Sequence, residues 1–241
     1  MKLFKVIASI GLLLGLAGGL QAAIIVNGGT TGNLTANGFD TSPVFTTDGN
    51  NERNQTAART LIQTFQVTSN FKMTGVVIEY QNIDTGGGYG NGTITLNLLS
   101  VGNTTLSPQT LANLGSGAVL KSWTFASDAT TRAAAGFTSS TSVTSLMQWT
   151  FTGSDTFDLT TTTGSAGYAL QFTSTVPSDF QAFAWQRTTT NSYVSGAAYE
   201  TTTSASIGDF ALAVIPEPAT WGLLAFSLTT MMVLRRRRIR S

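Results

Sequence analysis

The sequence contains no cysteine and no histidine, and only 10% of its 241 residues are charged. The first absence removes disulfide frameworks and thiol nucleophiles. The second removes the Ser-His-Asp triad and the ordinary zinc sites. Strong helix formers do not dominate. Threonine occurs 41 times and glycine 25 times, and both are poor in helix interiors, which excludes a long helical protein. What is present can build a core: 41% of residues are hydrophobic and 10% aromatic, which argues against a disordered chain. The length suits one domain of moderate size or two small ones.

The N-terminus reads as a targeting segment. Lys2 and Lys5 precede an apolar run over 6–20 whose only polar side chain is Ser9, and Gln21, Ala22 and Ala23 follow. A positive start, an apolar stretch and small residues describe a secretory signal helix, occupying 1–23 and cut after Ala22 or Ala23. The run falls short of the roughly 20 residues of a spanning helix, which separates it from a retained anchor.

The C-terminus, 214–241, has three parts. Pro216, Glu217 and Pro218 form a stiff element that cannot enter a helix. The stretch 221–234 carries no charge and reads as a hydrophobic, membrane-seeking helix, with Trp221 suited to the interface. Arg235, Arg236, Arg237, Arg238 and Arg240 follow. Clustered arginines resist translocation, so they act as a stop-transfer element and hold the tail in the membrane with the body outside. The apolar core is short, but arginine snorkelling lengthens its effective span.

This tail closely resembles the PEP-CTERM sorting signal of bacterial exported proteins. Pro216, Glu217, Pro218, the apolar run 221–234 and the arginine cluster carry the likeness, and the N-terminal signal agrees with it. The resemblance implies a partner, an exosortase, a membrane enzyme that cuts near the Pro-Glu-Pro element. It also implies release or transfer of the body to the cell envelope, cell surface or extracellular matrix, often in bacteria that make exopolysaccharide. The apolar segment would then be an address rather than a permanent anchor.

Setting the ends aside changes the charge. Residues 24–215 hold six basic and 11 acidic residues, a net charge of −5. An acidic body argues against nucleic-acid binding, which requires basic patches to neutralise phosphates.

The body, 24–213, reads as all-β. Apolar or alternating segments rich in β-branched and aromatic residues cover 59–67, 71–80, 93–101, 119–125, 146–152, 156–159, 166–173, 180–187 and 207–214. Turn signals stand at Asn27-Gly28, Asn37-Gly38, Asp48-Gly49 and Asn91-Gly92. Threonine suits such strands, with its branched Cβ in the pleat and its hydroxyl toward water. A short helix is expected from Ser107 to a stop at Gly115, with Pro108 as its first residue, and another turn within 127–136. These strands predict a two-sheet, jelly-roll-like β-sandwich between the signal helix and the hydrophobic tail helix. No fixed repeat period supports a solenoid.

The body also resembles the secreted sandwich domains often found ahead of this sorting signal, related in shape to carbohydrate-binding jelly rolls. The strand 61–67, the run Gly167, Tyr168, Ala169, Leu170, the aromatic strand with Phe183 and Trp185, the stretch 192–199 and Asp209, Phe210, Ala211 carry it. This bears on fold rather than ligand, because one sandwich hosts many functions.

Catalysis without histidine would require paired carboxylates, as in glycosidases. Asp40, Asp48, Glu52, Asp84, Asp128, Asp155, Asp158, Asp179, Glu200 and Asp209 are scattered and read as solvated turn residues. Glu79 stands apart within a strand, although a solvent-facing position accounts for it. The chain is therefore not expected to be an enzyme. No cofactor is expected. The one metal candidate is a structural Ca²⁺ held by Asp48, Asn50 and Glu52, which alternate along the chain, together with Asp209. Sugar binding would use aromatic faces. The candidates are Tyr89 in its glycine-rich loop, Trp185, Tyr193 and Tyr199. The sequence thus predicts a non-enzymatic exported envelope or matrix protein, with a carbohydrate-binding module for exopolysaccharide as the alternative.

Overall fold

The computed structural model describes residues 23–27, 33–55, 57–81, 90–102, 104, 118–128, 130–131, 144–177, 183–190, 193–200 and 208–217. Thirteen strands form among them. They are β1 (Ala23–Asn27), β2 (Val44–Phe45), β3 (Asn51–Gln55), β4 (Leu61–Phe65), β5 (Phe71–Gln81), β6 (Gly92–Val101) and β7 (Val119–Ser127). Then come β8 (Thr144–Thr150), β9 (Phe157–Leu159), β10 (Gly167–Ser174), β11 (Phe183–Arg187), β12 (Ala198–Glu200) and β13 (Leu212–Pro216).

The strands lie in two sheets, and every pairing is antiparallel. The smaller sheet has the order β12-β4-β10-β6-β7. The larger runs β1-β8-β5-β11-β3, with β13 between β5 and β2, and with β9 also against β5. β5 is long enough to take two partners on each side. Met73 pairs with Phe157 of β9 on one side and with Pro216 of β13 on the other.

Period-two alternation decides which side chains meet. In the smaller sheet Leu61 and Phe65, Ile94, Leu96 and Leu98, and Leu170 and Phe172 point inward. In the larger sheet Val76, Ile78 and Tyr80, Met147 and Trp149, and Phe183 and Trp185 point back at them. Aromatic rings bridge the two layers. The Phe172 ring lies 5.1 Å from Trp149, 5.2 Å from Phe183 and 4.9 Å from Trp185, centroid to centroid. Such tilted and edge-on pairs contribute about 0.5–1.5 kcal/mol each beyond the area they bury. The all-β, two-sheet expectation therefore holds.

Several expected strands fall within a residue or two of the observed ones, notably β5, β6, β7 and β10. Four were not anticipated: β1, β2, β3 and β12. β3 reads Asn-Glu-Arg-Asn-Gln, with no apolar residue to reveal a period. Its regular shape comes from pairing along the edge of β11, and polar edge strands protect a sheet from further pairing. The expected helix at 107–115 lies outside the described residues. Of 127–136, Asp128 Oδ1 accepts the Thr131 N–H at 2.7 Å, the geometry of a helix N-cap.

A covering segment, 33–50, crosses the outer face of the larger sheet. Leu34 is fully buried there beside Val77, Leu146, Ala211 and Ala213, with Phe39, Phe45 and Ile215 packed around them. Two of the sequence's turn signals shape this cover. Gly38 takes φ of 77°, the left-handed conformation that glycine adopts without strain. Gly49 serves a different purpose: a Cβ at this position would collide with Gln186 Cβ and the Arg187 backbone. Only glycine lets the chain approach β11 so closely before entering β3.

Candidate functional site

The Pro216-Glu217-Pro218 element begins at the end of β13. β13 is locked by its neighbours: Leu212, Ala213 and Val214 pair with Ile78, Val77 and Val76 of β5, and Ala213 and Val214 also pair with Phe45 and Val44 of β2. The register then shifts between Ile215 and Pro216. Proline has no N–H to give the ladder and is confined to strand ends and bulges, so the regular pairing stops here. The boundary drawn from the sequence at 213/214 falls inside this strand.

Beyond the shift, contacts of another kind take over. The Thr74 hydroxyl donates to the Pro216 carbonyl at 3.1 Å and lies 3.4 Å from the Ile215 carbonyl. The Glu217 N–H donates to the Lys72 carbonyl at 2.7 Å. Lys72 Nζ sits 3.5 Å from Glu217 Oε2, with both side chains well exposed. Pro216 and Glu217 are thus docked on the first residues of β5. Pro218, the apolar stretch 221–234 and Arg235, Arg236, Arg237, Arg238 and Arg240 lie outside the described residues. Among the described residues no helix is long and apolar enough to cross a membrane.

The aromatic candidates separate. Trp185 is fully buried, donates its indole N–H to the Ala211 carbonyl at 2.9 Å, and stacks on Phe210 at 4.2 Å. Tyr199 is buried on the outer face of the smaller sheet with Ile62, Leu99, Val101, Ala169 and Ala197. Burial and the nearby Asp209 push its phenol up to about 12. Neither presents a ring face to a ligand. Tyr193 is half-buried against the core, and desolvation raises its phenol above the ordinary range. Tyr89 lies outside the described residues.

Two of the calcium candidates are engaged by backbone donors on separate segments. Asp48 Oδ1 accepts the Thr35 N–H at 3.0 Å, which ties it to the covering segment. Asp209 is fully buried and its Oδ2 accepts the Tyr193 N–H at 2.7 Å, placing it near Tyr193 and Tyr199. Asn50 is exposed, and the Glu52 side chain lies outside the described residues. Among the described residues no three acidic side chains gather where they could hold a metal ion.

Glu79 departs from its expected solvent-facing position. It lies on the outer face of β5 beneath the covering segment, 1% exposed. Its Oε2 accepts the Gly49 N–H at 3.0 Å. Desolvation outweighs that bond and, with Asp48 nearby, pushes the carboxyl up to about 7. Lys72 and Thr74 had drawn no attention in the sequence. The signal that could have found them was the strand segment ending at 214, which runs without a spacer into Pro216. Compared with known proteins, the chain matches no family model and no curated protein.

Proposed function

We propose that the chain is a non-enzymatic exported protein of the bacterial envelope or extracellular matrix, sorted and processed by an exosortase through its C-terminal element. The observation that carries this reading is the tripartite tail. Pro216, Glu217 and Pro218 are followed by the uncharged stretch 221–234 and then by five arginines within 235–240, and the chain opens on a signal-like segment. The end of β13 at Pro216 supports it, because the sorting element starts at the point where the sandwich stops and Glu217 is exposed. We read the sandwich as jelly-roll-like, flanked by the signal helix and the hydrophobic tail helix. Strands distant in sequence that lie side by side, such as β12 with β4 and β11 with β3, favour that connectivity.

Mass analysis of the exported protein's C-terminus tests the assignment. An exosortase-bearing bacterium should yield protein ending near Pro218, and a strain lacking the exosortase should yield the intact arginine-rich end. An intact tail in both would exclude processing. The polysaccharide-binding alternative now rests on Tyr89 and Tyr193, since Trp185 and Tyr199 are enclosed. A glycan screen with wild-type protein and a Tyr89→Ala, Tyr193→Ala double variant addresses it.

A further inference from the structure

We propose that the sandwich latches its own sorting element: Thr74 and Lys72 of β5 hold Pro216 and Glu217 on the sheet, and processing requires their release. The inference rests on the sorting function proposed above and adds a positioning role for two residues outside the motif.

Geometry separates the latch from the strand that precedes it. Residues 212–214 are flanked by β5 on one side and β2 on the other, so they move only with the sheet. After the register shift at Ile215/Pro216 the chain is held on the β5 side by a short set of contacts. These are the Thr74 hydroxyl on the Pro216 carbonyl at 3.1 Å, the Glu217 N–H on the Lys72 carbonyl at 2.7 Å, and the Lys72 ammonium 3.5 Å from the Glu217 carboxylate. Pro216 itself brings no N–H. Two residues can therefore lift away while 212–215 of β13 stay paired with β5.

The docked state withholds what a processing enzyme reads. Enzymes that act on an extended peptide engage its backbone donors and acceptors along one edge. In the docked element the Glu217 N–H and the Pro216 carbonyl are already engaged by β5. The Glu217 carboxylate, the one charge in the Pro-Glu-Pro element, faces the Lys72 ammonium. An enzyme recognising this element competes with the sheet for the same groups. The competition is mild: the ion pair is solvent-exposed and such pairs are weak, and the remaining hold is two or three hydrogen bonds. A latch of this strength delays processing without preventing it.

The test follows tail loss over time in full-length protein, expressed in an exosortase-bearing bacterium. Pro218→Ala serves as the check on the sorting assignment, since Pro218 belongs to the motif and is neither of the two residues that the latch holds. If wild-type protein keeps its tail, or Pro218→Ala loses it at the wild-type rate, the sorting assignment fails and the latch fails with it. Where wild type is processed and Pro218→Ala is not, the latch is judged separately. Thr74→Val and Lys72→Ala should each speed tail loss, Thr74→Val by roughly fivefold, the factor that one hydrogen bond's worth of free energy represents. Lys72→Arg should restore the slow rate. A four-residue Gly-Ser insertion between Ile215 and Pro216 should speed tail loss as well, and in that background Thr74→Val and Lys72→Ala should add nothing. Thermal midpoints recorded alongside separate release of the latch from general loosening of the fold. Unchanged or slower processing in the single variants would overturn the proposal. So would undiminished effects in the insertion background, or faster processing that simply tracks a fallen midpoint.

Discussion

Glu79 shows how much a single side chain can depend on a distant segment. In the sequence it is one strand residue among β-branched neighbours, and its alternation with Ile78 and Tyr80 marks it only as facing away from the core. Its burial arises from the covering segment 33–50, which no local pattern could foretell. The consequence is a pH dependence of defined sign. The folded state holds the Glu79 proton up to about 7, against 4.5 ordinarily. Between these values the folded chain binds more protons than the unfolded one, so stability falls as pH rises through that window and is level above it. Glu79→Gln keeps a carbonyl oxygen for the Gly49 N–H and removes the ionisation. Urea unfolding at pH 5 and pH 8 should show the variant more stable than wild type at the higher pH, by on the order of 2 kcal/mol, with little difference at the lower. Phe172 belongs to the same scale. Its ring touches Trp149, Phe183 and Trp185 across the sandwich, and its inward position was legible from the alternation in β10. Phe172→Ala should lower the unfolding free energy by about 3–5 kcal/mol, the cost of an unfilled aromatic site.

Among the elements, legibility followed hydrophobic periodicity. β5, β6, β7 and β10 announce themselves by alternating apolar residues. β3 has none, and β2 and β12, at two and three residues, are too short to show a period. Trp185, whose alternation with Phe183 already favoured the core, and Tyr199 prove buried; composition reveals that a ring is present but not which face of a sheet lies under cover. β2 nevertheless matters, because Thr46 just beyond it ties the C-terminal strand down. Its hydroxyl bonds the Phe210 carbonyl at 2.5 Å and receives the Leu212 N–H at 3.0 Å. Thr46→Val preserves shape and removes both bonds, leaving buried backbone groups without their partner. The expected loss is about 1–3 kcal/mol, read by chemical denaturation. β1 bears on where the proposed signal cut would fall. Ala23 already pairs with Thr150 of β8, so cleavage after Ala22 leaves the strand whole. The mature N-terminus should be Ala23 by mass analysis. A start at Ile24 would show that the first pair is dispensable.

At the scale of the whole molecule, the order of strands in space departs widely from their order in the chain. β1 and β13, near the two ends of the body, both enter the larger sheet, on β8 and β5 respectively. The central strand β5 cannot complete its pairing until residue 216 is available. Folding should therefore be slow and cooperative, as non-local β topologies are. Ending the chain at Ala211 should leave it protease-sensitive, because Val76, Val77 and Ile78 of β5 and Val44 and Phe45 of β2 lose the strand they pair with. The all-β architecture was visible from the sequence as a sum of short segments. The neighbour relations were not, because most of them join segments far apart in the chain, such as Val44 with Val214 and Leu98 with Leu170.

The docking of Glu217 on Lys72 also fixes a distance. Only residues 218–220 separate that anchor from the apolar stretch 221–234, and three extended residues reach about 10 Å. In the membrane-held form proposed above, the body would stand close to the lipid surface, its rim at Lys72, Asp158 and Glu217 turned toward the headgroups. The missing cysteines make this orientation measurable. A single thiol introduced by Asp158→Cys, labelled with a fluorophore, should be quenched by headgroup spin labels in the membrane-held protein, whereas a thiol at Val194, 89% exposed, reports a second height above the membrane. Equal quenching at both positions would mean that the body tumbles freely.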